Sequence, residues 1–150
     1  MTHAAGPGIL QLVDGNFIRT ALLYGHYKAQ GATLSPWRED VRLGAAHDKA
    51  NGSLHLHIAS FLPWRGRVQL DFPRHREFWN MPRNYPRLNA WPEWYTAENG
   101  NAYEVTDLDS GEIRRSDSCQ LRQGIPVQAD GIRPVRLSIR PVPSADKKSE

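Results

Sequence analysis

Residues 53–60 read SLHLHIAS, with Leu54, Leu56 and Ile58 alternating with His55, His57 and Ala59. Side chains of an extended strand point to opposite faces in turn, so this period of two describes a strand with one apolar and one polar face. Just upstream, Asp48 to Gly52 ends in Asn-Gly, a turn that joins antiparallel strands. Ahead of the turn, Val41, Leu43 and Ala45 alternate with Arg42 and Gly44. The pair reads as a hairpin.

The same signature recurs downstream. Arg67 to Phe72 alternates with Val68 and Leu70 on one side, and a strand near Trp94 to Thr96 precedes an Asn99-Gly100 turn. Ala102 to Asp107 and Glu112 to Ser116 flank Asp109-Ser110-Gly111, and short pieces follow at Gln120-Leu121 and Ile125 to Gln128. The last strand, Arg133 to Val142, sets Val135, Leu137 and Ile139 against Arg136, Ser138 and Arg140. Short strands at even spacing with turn signals between them predict a mainly β chain, an antiparallel, jelly-roll-like β-sandwich.

One helix precedes it. From Asn16 to Gln30, Phe17, Ala21, Tyr24 and Lys28 mark one line, and Ile18, Leu22 and Leu23 widen it into an apolar stripe. Asp14 or Asn16 can cap its start, and Gly31 stands where a left-handed C-cap belongs. The expected organisation is an N-terminal segment and helix over 1–31, a β-sandwich over 32–142 and a polar tail over 143–150.

A chain of 150 residues has the size of one domain with a real core. No apolar run approaches the about 20 residues of a membrane span. Met1 to Gly8 shows no basic stretch followed by an apolar one, which points to a cytoplasmic chain as written. The single cysteine, Cys119, excludes an internal disulfide and a multi-thiolate zinc site, and reads as a small core or strand residue. Net charge is +3, with fifteen arginines against four lysines. Arginine suits bidentate carboxylate or phosphate binding and stacking. Asp71, Glu77, Glu93 and Glu98 dilute the basic stretch, which weighs against a nucleic-acid partner.

The densest chemistry is WRGRVQLDFPRHREFWNMPRNYPRLNAWPEWY, residues 64–95, with eight aromatic side chains, six arginines and one histidine. Pro73, Pro82, Pro86 and Pro92 preclude regular pairing over most of it. Loops this long are functional or disordered, and the aromatic content argues against disorder. Candidate binding residues are Trp64, Arg65 and Arg67 beside the strand, then Arg74, His75, Arg76, Trp79, Arg83, Tyr85, Arg87 and Trp91. Rings there could stack on a sugar or a partner's side chain, and guanidinium groups could pair with carboxylates. The competing arrangement has Phe72, Phe78, Trp91 and Trp94 closing one end of the sandwich while the arginines pair with nearby acids.

Other chemistry is thinner. His55 and His57 share one face of a strand and could reach one metal, with His75 as a third ligand if the loop folds back. No carboxylate follows in Ile58 to Leu62, and a pair of histidines on the solvent face of an amphipathic strand is the favoured reading over a metal site. Glu77, Glu93 and Glu98 could supply an acid/base pair only if the loop brought two of them to about 5–10 Å around a sugar. No Gly-rich phosphate cradle and no G-x-S-x-G elbow is present. No catalytic signature stands out, and no cofactor is expected.

Two segments carry a family resemblance. GNFIRTALLYGHYKAQGATLSPWREDVRLGAA (residues 15–46) resembles the end of the catalytic α/α-toroid, and its junction to a β-domain, in bacterial glycan-degrading enzymes of the heparinase/alginate-lyase and unsaturated-glycoside-hydrolase type. VTDLDSGEIRR (105–115) and LRQGIPVQADGIRPVRLSIRP (121–141) resemble their C-terminal β-sandwich. In that family the toroid holds the acid/base residues and the sandwich buttresses it or borders the substrate cleft. The resemblance implies a non-catalytic accessory module whose junction helix exposes an apolar face. It also implies partners: a helical catalytic domain or separate chain, an acidic polysaccharide, or a second copy through the helix. A small metal-dependent double-stranded β-helix enzyme using His55, His57 and His75, and a plain protein-interaction sandwich, are the alternatives.

Overall fold

Apolar residues at every second position require two faces that cover each other, and the chain forms them. The computed structural model describes residues 15–83 and 92–142. Strands β1 (Thr33–Ser35), β4 (Trp64–Gln69) and β7 (Ile125–Ala129) form a three-stranded antiparallel sheet in the order β1-β4-β7. Strands β2 (Arg42–Asp48), β3 (Ser53–Ala59), β8 (Val135–Val142), β5 (Ala102–Asp107) and β6 (Ile113–Asp117) form a five-stranded one in that order. Helices are α1 (Gly15–Lys28), the single turn α2 (Arg74–Glu77) and α3 (Ser118–Gln123). The molecule is a β-sandwich with one N-terminal helix. The segment before Gly15 and the tail over 143–150 lie outside the described residues.

The sheets close on one core. Leu54, Leu56 and Ile58 of β3 are buried with Leu137 and Ile139 of β8 and Tyr103 and Val105 of β5. Trp64, Val68, Ile125 and Val127 come from the other sheet, and Leu121 of α3 joins them. The last strand lies at the centre of the larger sheet, with Leu54 and Val105 both registered on Ile139.

Strand β4 begins earlier than its alternation suggests. Trp64, Gly66, Val68 and Leu70 share the inward phase, and Gly66 interrupts the apolar reading because it has no side chain. The Trp64 ring fills that gap. A Cβ on Gly66 would fall 2.2 Å from Trp64 Cζ2 and 2.6 Å from the Ser35 carbonyl. Trp64 is 3% exposed and its Nε1 donates to the Pro36 carbonyl at 3.1 Å, so this ring belongs to the core and not to a binding surface.

Other expectations change too. Trp94 to Thr96 forms no strand; Thr96 makes one isolated parallel bridge to Asp71. Gln120-Leu121, expected as a short strand piece, lies within helix α3, and the short β1 has no counterpart among the expected strands. Asp117 caps α3 through a reciprocal pair with Gln120, and Gly124 ends it at φ +100°. Cys119 lies exposed on α3 and not in the core or a strand. At α1, Asn16 sits inside the helix and not at a cap. Its C-terminus has Gln30 at φ +49° followed by Gly31 at φ +77°, and Gly31 N–H donates back to the His26 carbonyl at 2.9 Å.

A clamp fastens the β1–β2 connection to the β3–β4 turn. Arg38 pairs with Asp40 and donates to the Leu62 and Pro63 carbonyls at 2.9 and 3.1 Å. Asp40 in turn accepts the Phe61 and Leu62 N–H groups at 3.2 Å each. The Arg38 guanidinium, with those N–H groups, holds the Asp40 carboxyl down to about 2.

Candidate functional site

The arginine- and aromatic-rich stretch leaves β4, makes the turn α2 and returns along 92–98. Its base is tied down at several points. Ala97 N–H donates to Asp71 O at 2.8 Å, Tyr95 N–H to Gln30 O at 3.2 Å, and Leu70 N–H to Leu121 O at 3.0 Å. Between these anchors and α1 lies a cleft of about 490 Å³, lined by Leu23, His26, Leu70, Asp71, Phe72 and Arg74 among others.

Within and beside this cleft the cations meet acids of the same chain. Arg74 pairs with Asp71 at 2.8 Å. Arg122, from α3, grips Glu77 with two nitrogens at 2.7 and 2.8 Å, donates to the Ala97 carbonyl, and lies 5.5 Å from the Phe72 ring centre. Arg76 pairs with Glu98, and Arg83 donates to the Glu93 carbonyl at 2.5 Å. Glu93 is almost wholly buried; its carboxylate takes the His75 backbone N–H at 2.8 Å and lies 2.5 Å from His75 Nδ1. Burial pushes the Asp71 carboxyl above its ordinary range, although the Phe72 N–H and Arg74 oppose it.

The candidates therefore divide. Arg74, His75, Arg76 and Arg83 are gathered here, each held by an acid or a carbonyl of the excursion. Trp79 stands half exposed beyond α2, next to a more exposed Phe78 and near Met81. Tyr85, Arg87 and Trp91 lie outside the described residues. Arg65 and Arg67 are exposed on β4, and Arg67 lines a different groove that shares no lining residue with the cleft. Arg122 is not a candidate on sequence grounds, because it lies outside the aromatic run and meets Glu77 across 45 residues of sequence.

The structure does not assemble the metal alternative. His55 and His57 occupy the outer face of β3, paired with Ala46 and Ser138, and with Gly44 and Arg136, while His75 is bound to Glu93. Among the described residues no three His, Cys, Asp or Glu side chains are placed to hold one ion. Glu77, Glu93 and Glu98 are each tied to a basic partner.

The second exposed feature is α1. None of its 14 residues is buried, and Ile18, Leu22, Tyr24 and Tyr27 are 48–61% exposed. Tyr27 makes an edge contact with Trp94 at 5.1 Å, and Leu22, Ala29, Leu34, Trp37 and Leu43 line an apolar trough between the helix and the sandwich. Among the described residues no helix is long and apolar enough to cross a membrane.

Fold and surface together define an antiparallel β-sandwich that exposes an amphipathic helix and an ion-paired aromatic excursion. No known protein family, characterised protein or solved structure matches the chain.

Proposed function

We propose that the chain is a non-catalytic β-sandwich accessory module of a carbohydrate-active system, working by contact. Its contact surface comprises α1 and the exposed Phe78 and Trp79. One observation carries this reading: a helix with an apolar stripe and no buried residue. Covering a leucine or isoleucine side chain is worth about 1.5–3 kcal/mol, so such a stripe favours a second surface. The resemblance supplies the kind of surface, a helical catalytic domain in the same or a separate chain. Arg74 and Arg76 of the excursion, and Arg122 beside it, are spent on internal carboxylates, which favours a protein contact over an acidic glycan at the cleft.

Sedimentation of the chain, alone and mixed with an α/α-toroid catalytic domain from the same genome, tests this. The expected result is a complex that Leu22→Glu with Tyr24→Glu abolishes while the melting temperature stays unchanged. Absence of a complex at micromolar concentrations, with wild type and variant sedimenting alike, overturns it. A mass of two copies that the variant halves would instead assign the helix to self-association. An acidic oligosaccharide in the same experiment checks the other occupant, for which Trp79 is the available stacking ring.

A further inference from the structure

The sandwich has two unsealed sheet edges on one side. β6 ends the five-stranded sheet and β7 ends the three-stranded one. A groove of about 280 Å³ runs where they approach, lined by Arg67, Arg114, Arg115, Gln120, Gln123 and Pro126 among others. Among the described residues, no carboxylate and no aromatic ring lines it. Arg114 reaches across to the Pro126 carbonyl at 3.4 Å, the one hydrogen bond of its side chain among the described residues. Arg115 lies 3.9 Å from Glu104, but Arg140 already holds that carboxylate at 2.7 Å. Asp107 and Glu112 line the adjoining depression, which shares Arg114 and Pro126 with the groove; there Asp107 accepts the N–H groups of Asp109 and Ser110, and neither acid pairs with Arg114.

We propose that this groove binds an acidic peptide segment in extended conformation, added along the open edge of β6. An edge strand leaves one row of N–H and C=O groups without a partner, and an extended peptide can take them up. A strand added there sets carboxylates toward Arg114 on one face and Arg115 on the other, with Arg67 at the groove's far wall. Guanidinium forks match carboxylates in charge and in geometry. A glycan fits less well, because none of the described residues lining the groove offers a ring for a sugar to stack on. The site is independent of the α1 surface, so either assignment can fail alone.

Fluorescence anisotropy with a short labelled peptide alternating Glu and Val, titrated with the full chain, tests the proposal. Binding is expected, weakening as salt is raised. Arg67→Gln and Arg114→Gln should each lower affinity roughly tenfold with unchanged melting temperatures. Arg65→Gln, on the same strand but outside the groove lining, should leave it unchanged. The proposal is overturned if the Glu peptide does not bind, or if the same peptide with Gln for Glu binds equally. It is also overturned if oligogalacturonate binds where the Glu peptide does not. Aggregation of the arginine variants without peptide binding by wild type would make these side chains guards of a sheet edge, and would sink the idea too.

Discussion

Two depressions on this molecule are both built around arginines, and they differ in what those arginines face. In the cleft under the excursion, Arg74 and Arg122 meet Asp71 and Glu77 at 2.7–2.8 Å. In the groove between β6 and β7, no carboxylate among the described residues lines the wall beside Arg67 and Arg114, and neither pairs with an acid there, although Arg114 also borders the depression that holds Asp107 and Glu112. A partly buried cation must be matched by an anion, because desolvation costs more than an unpaired interaction returns. Exposed Arg67 carries no such requirement and stays available to a ligand, while half-buried Arg114 keeps only the Pro126 carbonyl. Arginine content alone, the conspicuous signal of residues 64–95, does not separate the two cases. The position of the acids does.

The largest effect should come from breaking the matched side. Arg122→Ala removes both bonds to Glu77, the donors to the Ala97 carbonyl and the cation over Phe72. With both partners about four-fifths buried, the loss should be about 3 kcal/mol by urea unfolding. Arg122→Lys should recover only part of it, since an ammonium cannot bridge both oxygens. If Arg122→Ala proves as harmless as a surface substitution, the excursion is not stitched as described and the contrast collapses.

A smaller, pH-dependent effect sharpens the same side. Burial raises the Asp71 carboxyl, so folding favours its protonated form. Its ionisation therefore costs nothing below the ordinary carboxylate range and costs most above the raised folded value. Unfolding midpoints should show this loss as pH climbs through that window, on top of other titrations. Asp71→Asn should remove that component, and a variant with the wild-type slope would place the charge elsewhere. Asp40 acts in the opposite sense: its depressed carboxyl adds stability above the ordinary carboxylate range, lost as pH falls toward about 2.

Much of the sandwich was legible because alternation reports a face directly. Ser53–Ala59, Ala102–Asp107 and Val135–Val142 all follow it, and the Asn-Gly and Ser-Gly turns place Gly52, Gly100 and Gly111 at positive φ. Where a local signal competed with that pattern, the reading slipped. Gly66 masks the start of β4, and Trp64 reads as a surface residue in the sequence although its ring closes over that glycine. The Asp117–Gln120 capping box was in the sequence, but only a single turn of apolar burial, Leu121, backed it as a helix. The site was less legible than the fold for a simple reason. Glu77 and Arg122, or His75 and Glu93, meet through topology, and no spacing along the chain encodes which acid neutralises which arginine.

The smallest expected stability change lies on the unmatched side, and it is the most discriminating. Arg67 is exposed on β4 and makes no ion pair with an acid of the chain among the described residues. Arg67→Ala should shift unfolding free energy by no more than about 0.5 kcal/mol, as surface substitutions away from special features do. A near-zero value has two explanations: an idle surface residue, or one reserved for a ligand. The Glu–Val peptide separates them, because only the second gives a binding loss in a variant whose stability is intact. A loss comparable to that of Arg122→Ala would show instead that Arg67 holds the sandwich together. The two depressions would then be the same device at different depths, with no vacant cation to offer a partner.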